Sequence, residues 1–235
     1  LPNLSSKSAV QNQAQFRSIV QWGIRIALLV SIPAATGLFI LSGPLIASIF
    51  LGGNFNNHDL YMTQYSLMAY AFGLIGLSLV LILAPAYYAK QNTRTPVKFG
   101  LIAMVINASL SILFVTTLVF ISSPYPHMGL SLAFSCSTLI NAVLLFRGLI
   151  REKEIKIDRD EVGFFIRVLV ASTVMAAMLL FFNPELPIWL EKSLLGRAIY
   201  LMKLIPSAVL VYLFTLFCIG IRPRDIRIQT NSEPL

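Results

Sequence analysis

Seven side chains in this sequence have types and spacing that could do chemistry. Lys90, Arg94 and Lys98 recur every four residues in Ala89-Lys90-Gln91-Asn92-Thr93-Arg94-Thr95-Pro96-Val97-Lys98. A basic cluster at a membrane interface attracts phosphate headgroups, and arginine can grip phosphate in a bidentate fork. The same cluster would also serve as a positive anchor on a short loop. Arg25, at the mouth of the first long apolar run, is the fourth cationic candidate for substrate binding. The other three candidates are uncharged. Asn107 and Ser111 stand four apart and share a helix face, and Asn141 lies at the edge of a stripe made by Ser131, Ser135 and Thr138. These groups suit a weak cation or headgroup site between two helices. They equally suit interhelical hydrogen bonds worth well under ~2 kcal/mol each.

Covalent chemistry has little to stand on. No Asp or Glu falls inside the apolar runs, so the usual mark of a proton relay or paired-acid site is missing there. His58 and His127 are far apart in sequence. Cys136 and Cys218 are too few for a disulfide framework or a cysteine-based metal site. No zinc-protease, nucleophile-elbow, P-loop or dinucleotide pattern occurs in a suitable context. The expectation is a protein that is not an enzyme, with no catalytic residue, no metal ligand and no cofactor.

The elements that must position these residues follow from composition. Of 235 residues, 57% are hydrophobic and 12% charged, and the mean hydropathy is +0.77. An ordinary soluble domain carries roughly a quarter charged residues. Residues 26–57 and 60–89 contain no Asp, Glu, Lys, Arg or His, and 99–146 contains only His127. A single helix over that last stretch would be about 70 Å long, against a hydrocarbon core of ~30 Å. Ser122-Ser123-Pro124-Tyr125-Pro126 divides it. With the shorter runs 168–184 and 204–221, the sequence predicts six transmembrane helices, at roughly 24–48, 66–89, 98–121, 128–147, 163–182 and 199–220. The runs lack the alternation of a membrane barrel. The fold class is therefore all-α, a polytopic membrane protein.

Basic residues set the orientation. Taking the loops alternately, 15 of the 18 Lys and Arg fall on one side, and only Lys192, Arg197 and Lys203 fall on the other. Cytoplasmic loops are the ones enriched in Lys and Arg, so both ends are expected to be cytoplasmic. Topology thus accounts for the net charge of +8. No aromatic-interleaved basic groove suggests nucleic acid. The expected organisation is a cytoplasmic N-terminal segment (1–23), a four-helix unit (24–147), a charged cytoplasmic connector (148–162), a two-helix unit (163–220) and a cytoplasmic tail (221–235). Leu1–Gln21 lacks the basic-then-apolar pattern of a signal peptide, and a first residue of Leu suggests a fragment or a processed chain. Trp22, Trp189, Tyr87, Tyr88 and Tyr200 lie where amphipathic rings sit at membrane interfaces. Pro33 and Pro44 fall within the first span, Pro85 closes the second and Pro206 lies early in the last. Each is a hinge or a static kink. Thr95 and Pro96 read as the N-cap and first residue of the third helix.

The stretch Leu67-Met68-Ala69-Tyr70-Ala71-Phe72-Gly73-Leu74-Ile75-Gly76 leads to Leu83-Ala84-Pro85-Ala86-Tyr87-Tyr88-Ala89 and Thr93-Arg94-Thr95-Pro96-Val97. Together with Leu1-Pro2-Asn3-Leu4-Ser5 and Leu41-Ser42-Gly43-Pro44-Leu45, it resembles the MurJ/MviN family of lipid II flippases, within the multidrug/oligosaccharidyl-lipid/polysaccharide exporter superfamily. The resemblance implies a fourteen-helix fold of which this chain is spans nine to fourteen, without the N-terminal lobe. It implies a bacterial inner-membrane location, lipid II and membrane lipids as partners, and transport of an undecaprenyl-diphosphate-linked precursor for peptidoglycan and cell-wall synthesis. It also implies that the last two helices line a groove for the lipid tail. Members often carry an acid where this chain has Asn92. A related exporter of another lipid-linked saccharide or drug, and an inactive truncated remnant, remain open as alternatives at this stage.

Overall fold

The computed structural model describes residues 2–51, 55–155 and 159–221, with side chains from residue 13 onward. The described residues form helices α1 (Pro2–Ile49), α2 (Asn57–Ala89), α3 (Arg94–Phe120), α4 (Met128–Arg151), α5 (Arg159–Phe182), α6 (Leu186–Glu191) and α7 (Leu194–Cys218). Six of them are long and apolar enough to cross a membrane, α1 through its portion Gln13–Ile49. Each expected span lies within one of these helices, apart from a residue or two at two of the C-terminal ends, those of α3 and α7. Several helices run further than hydropathy alone indicated. The polar segment before residue 24 is helical and continuous with the first span. The charged connector shrinks, because α4 reaches Arg151 and α5 begins at Arg159. Lys7, Lys156 and the tail arginines Arg222, Arg224 and Arg227 were counted in the orientation argument. The side chain of Lys7 and all of the others lie outside the described residues.

Helix ends explain these boundaries. Asn56 and Asp59 form a reciprocal capping box that starts α2. Four helices close with one device. The amides of Asn92, Ser123, Glu154 and Ile221 return to the carbonyls of Tyr87, Leu118, Leu149 and Leu216. The residue before each, Gln91, Ser122, Lys153 or Gly220, has positive φ. This is the Schellman arrangement, which satisfies the last orphan carbonyls. Only Gly220 adopts that backbone without a Cβ penalty. The Thr95–Pro96 expectation needs correction. Thr93 precedes α3, and the Thr95 amide donates to the Asn92 side chain at 3.2 Å. Pro96 is thus the third helical residue, where a missing N–H costs nothing because the first four amides have no helical acceptor.

Helices α1, α2, α3 and α4 form one unit, with α2 against both α1 and α4 and α3 against α4. Glycines set the α2–α4 spacing. A Cβ at Gly76 would lie 2.7 Å from backbone atoms of Thr138 and Leu139. The Ser135 hydroxyl, buried beside this seam, donates to the Ala69 carbonyl at 2.6 Å. Helices α5 and α7 pair with each other and join the unit chiefly through α1. Their shared core runs from Ile32 and Leu41 of α1 through Val168, Met175 and Leu179 to Leu204 and Leu216. Pro33 and Pro44 lie within α1, which continues through both; Pro85 and Pro206 lie within α2 and α7.

Candidate functional site

Polar side chains gather at the end of the bundle where α2 and α4 finish and α5 begins. Lys90, just past α2, donates to Glu152 at 2.7 Å and to Glu154 at 3.0 Å. Gln13 of α1 reaches Glu154 as well. Burial would lower the Lys90 ammonium, but the hydrogen bonds and charges of the two glutamates together outweigh it and raise the group above the ordinary lysine value. Lys90 is therefore a strut between α2 and the segment after α4. Nearby, Tyr87 is fully buried and donates to the Leu145 carbonyl at 2.9 Å. It is a core residue, whereas its neighbour Tyr88 is 49% exposed and fits the interfacial expectation.

Arg25 makes a bidentate pair with Glu161, at 2.9 and 2.7 Å, which ties α1 to the first turn of α5. Its guanidinium also lies over the Phe164 ring, 5.6 Å from the centroid. Beside this pair opens a polar cavity of about 600 Å³, walled by Ser18 and Trp22 of α1, Arg159, Gly163 and Arg167 of α5, and Gly220 after α7. An apolar groove of about 290 Å³ flanks the same pair, lined by Ile24, Leu28, Phe146, Ile155 and Phe165. Cavity and groove share Gln21, Arg25, Glu161 and Phe164 as walls.

The seven sequence candidates thus separate. Arg25 and Lys90 have their charge matched by glutamates. Arg94 and Lys98 are exposed on the first turns of α3 and form no ion pair among the described residues. Asn107, Ser111 and Asn141 are half-buried on α3 and α4. The amide oxygens of Asn107 and Asn141 are buried without a hydrogen-bond partner. No hydrogen bond joins these three side chains to one another. Of the hydroxyl stripe on α4, Ser135 and Thr138 reach carbonyls of α2, at 2.6 and 3.4 Å. That is the interhelical bonding one of the two sequence readings anticipated.

Two features escaped the sequence reading. Arg159 and Arg167 were counted only as topology markers, although with Gly163 they recur every four residues and so share one helix face. Arg197 was counted as one of three stray cations on the sparse side. It is 6% exposed, and its guanidinium donates to the carbonyls of Trp189, Ala47 and Leu190 at 2.9, 2.8 and 2.8 Å. It joins the ends of α1, α6 and α7. Trp189, expected at a lipid interface, is fully buried there instead. Its indole donates to Asn183 and meets Tyr200 edge-on, so its polar tip is satisfied inside the protein.

Similarity to known proteins agrees with this architecture. The family model described as lipid II flippase MurJ matches residues 1–199. The chain is 38% identical over 222 residues to the probable lipid II flippase MurJ of Haemophilus influenzae, covering 94% of this chain and 41% of that protein. For the probable lipid II flippase MurJ of Vibrio cholerae the identity is 36%, covering 98% of this chain and 43% of that protein. A solved structure of lipid II flippase MurJ in an inward closed conformation shares the fold, with a TM-score of 0.66, 23% identity, and coverage of 86% of this chain and 41% of that one. The chain therefore spans about two fifths of the length of the relatives it matches. With a family match over most of its residues and six membrane-length helices in the corresponding fold, the chain belongs to the lipid II flippase MurJ family.

Proposed function

We propose that this chain is the C-terminal part of a lipid II flippase, a multi-pass protein of the bacterial inner membrane with both ends in the cytoplasm. The family match over residues 1–199 carries this reading. In it, the remaining lobe completes a polar cavity, and the two lobes rock to expose that cavity to each leaflet in turn. A diphosphate headgroup crossing bare hydrocarbon would lose its hydration at great cost, and a polar cavity lowers that cost. The chain works as a carrier part and makes or breaks no covalent bond. Exposed Arg94 and Lys98 draw the anionic headgroup towards the cytoplasmic face, while Arg25 and Lys90 hold helices together through their glutamates. Asn107, Ser111 and Asn141 offer uncharged polar groups to a cation or headgroup between α3 and α4.

One lobe cannot by itself enclose the transport cavity between two lobes, so the isolated chain is expected not to flip lipid. In cells depleted of their own flippase, the complete gene should restore growth and residues 1–235 alone should not. Full rescue by residues 1–235 would overturn the two-lobe reading. Orientation has its own test. Cysteines placed at residues 91 and 153 should label from the same face of oriented vesicles, and labelling from opposite faces would refute the cytoplasmic assignment.

A further inference from the structure

The polar cavity and the apolar groove on either side of the Arg25–Glu161 pair have the form of a single amphiphile site. We propose that it holds one anionic glycerophospholipid of the surrounding leaflet, with the phosphate diester between Arg159 and Arg167 and an acyl chain in the groove. This lipid is a resident of the fold, separate from any transported substrate.

The argument starts from α5. Arg159, Gly163 and Arg167 lie one above another on one helix face, the two arginines about 12 Å apart along the axis. A Cβ at Gly163 would meet nothing within 4 Å, so the floor between the arginines is bare and open. Both arginines are exposed, and neither forms an ion pair among the described residues. Guanidinium groups bracketing an open floor are suited to phosphate oxygens. The cavity also lies at the first turn of α5, the positive end of that helix's dipole.

Charge selects the kind of phosphate. The cavity is lined by Arg25, Arg159 and Arg167 against Asp160 and Glu161. Arg25 and Glu161 neutralise each other, and Asp160 offsets one of the remaining arginines. Among the described lining residues one net positive charge is left, which matches a phosphodiester. A diphosphate would bring surplus negative charge. The surroundings select a lipid over a soluble ester. Trp22 lines the cavity, and an indole favours the headgroup level of a bilayer. The adjoining groove is walled by aliphatic and aromatic side chains, which an acyl chain would cover and a soluble phosphate would not.

Native mass spectrometry of the full chain in detergent tests the site, with phosphatidylglycerol, phosphatidylcholine, inorganic phosphate and farnesyl diphosphate as probes. One phosphatidylglycerol should be retained per chain, in clear preference to phosphatidylcholine. Millimolar inorganic phosphate and farnesyl diphosphate should not displace it. The double variant R159Q/R167Q should weaken retention about 30-fold, taking the typical contribution of two interfacial cations. R159K/R167K should recover part of that loss, and R147Q/R151Q, which removes the same charge from exposed sites outside the cavity, should leave retention unchanged. Gly163→Leu should block the site sterically with all charges kept, since open space receives the new side chain. Equal retention of the two phospholipids, or wild-type retention by both R159Q/R167Q and Gly163→Leu, would overturn the proposal. Displacement by inorganic phosphate would reassign the cavity to a soluble phosphate. Displacement by farnesyl diphosphate would reassign it to a prenyl-diphosphate substrate.

Discussion

Replacing Arg197 by Met should undo the joint between α1, α6 and α7, and the structure sets the size of the loss. The variant keeps much of the aliphatic stem but deletes three charge-assisted hydrogen bonds, to Trp189, Ala47 and Leu190. The acceptors differ. The bonds to Trp189 and Ala47 are buried, whereas the Leu190 bond is only partly buried, so water can replace the arginine there. Two stranded buried acceptors at ~1–3 kcal/mol each give a loss of about 2–6 kcal/mol. Relief from burying a charge offsets part of it, leaving about 3 kcal/mol. For a chain of this size that corresponds to a fall in Tm of about 6–12 °C. Arg197→Lys should recover little, because one ammonium cannot reproduce a planar fork reaching three directions. Thermal unfolding in detergent reads the global loss. Hydrogen exchange of residues 186–191 reads a local undocking of α6, should that precede unfolding. If R197M left both Tm and exchange at wild-type values, Arg197 would be a passive passenger and the reasoning refuted.

Three further outcomes follow from the packing. Gly76→Ala should destabilise by about 1–3 kcal/mol, since its Cβ would strike the α4 backbone, while Gly37→Ala, with nothing within 4 Å, should gain about 0.5–1 kcal/mol in the same melting assay. Equal effects at the two sites would contradict the α2–α4 spacing. Lys153→Gly should stabilise by about 1 kcal/mol in denaturant titration, by removing a Cβ from a residue at φ 58°. A loss would show that the lysine side chain matters more than its backbone. The Lys90 strut should persist through neutral pH. The pKa is raised on folding, so its contribution is complete below the ordinary lysine value of 10.5 and lost as pH rises past the folded value. The melting difference between wild type and Lys90→Met should therefore shrink only at strongly alkaline pH, and shrinkage near neutrality would contradict the clamp.

Helices were legible where a one-dimensional property encodes them. Charge-free runs of about 20 residues record the solvent of the folded chain, and that record needs no knowledge of tertiary contacts. Helix ends were less legible, because Gln91, Ser122 and Lys153 take a conformation for which glycine is the usual signature. Polar extension of α1 before residue 24 was invisible to hydropathy, since a helix outside the hydrocarbon needs no apolar run. Arg197 shows the deeper limit. Its partners Ala47 and Trp189 are 150 and 8 residues away, and all are backbone carbonyls that carry no side-chain signal. Lys90 misled in the opposite way. Its spacing with Arg94 and Lys98 suggested a common role, yet Glu152 and Glu154 reach back from distant sequence to claim only one of the three.

The attachment of α5 and α7 almost wholly through α1 has a mechanical consequence. They ride on that helix like an outrigger on its boom, lashed near its middle by Arg25–Glu161 and near its C-terminal end by Arg197. Two lashings so far apart forbid pivoting. Any swing of the boom is delivered undiminished to the float, and any drag on the float returns to the boom as torque.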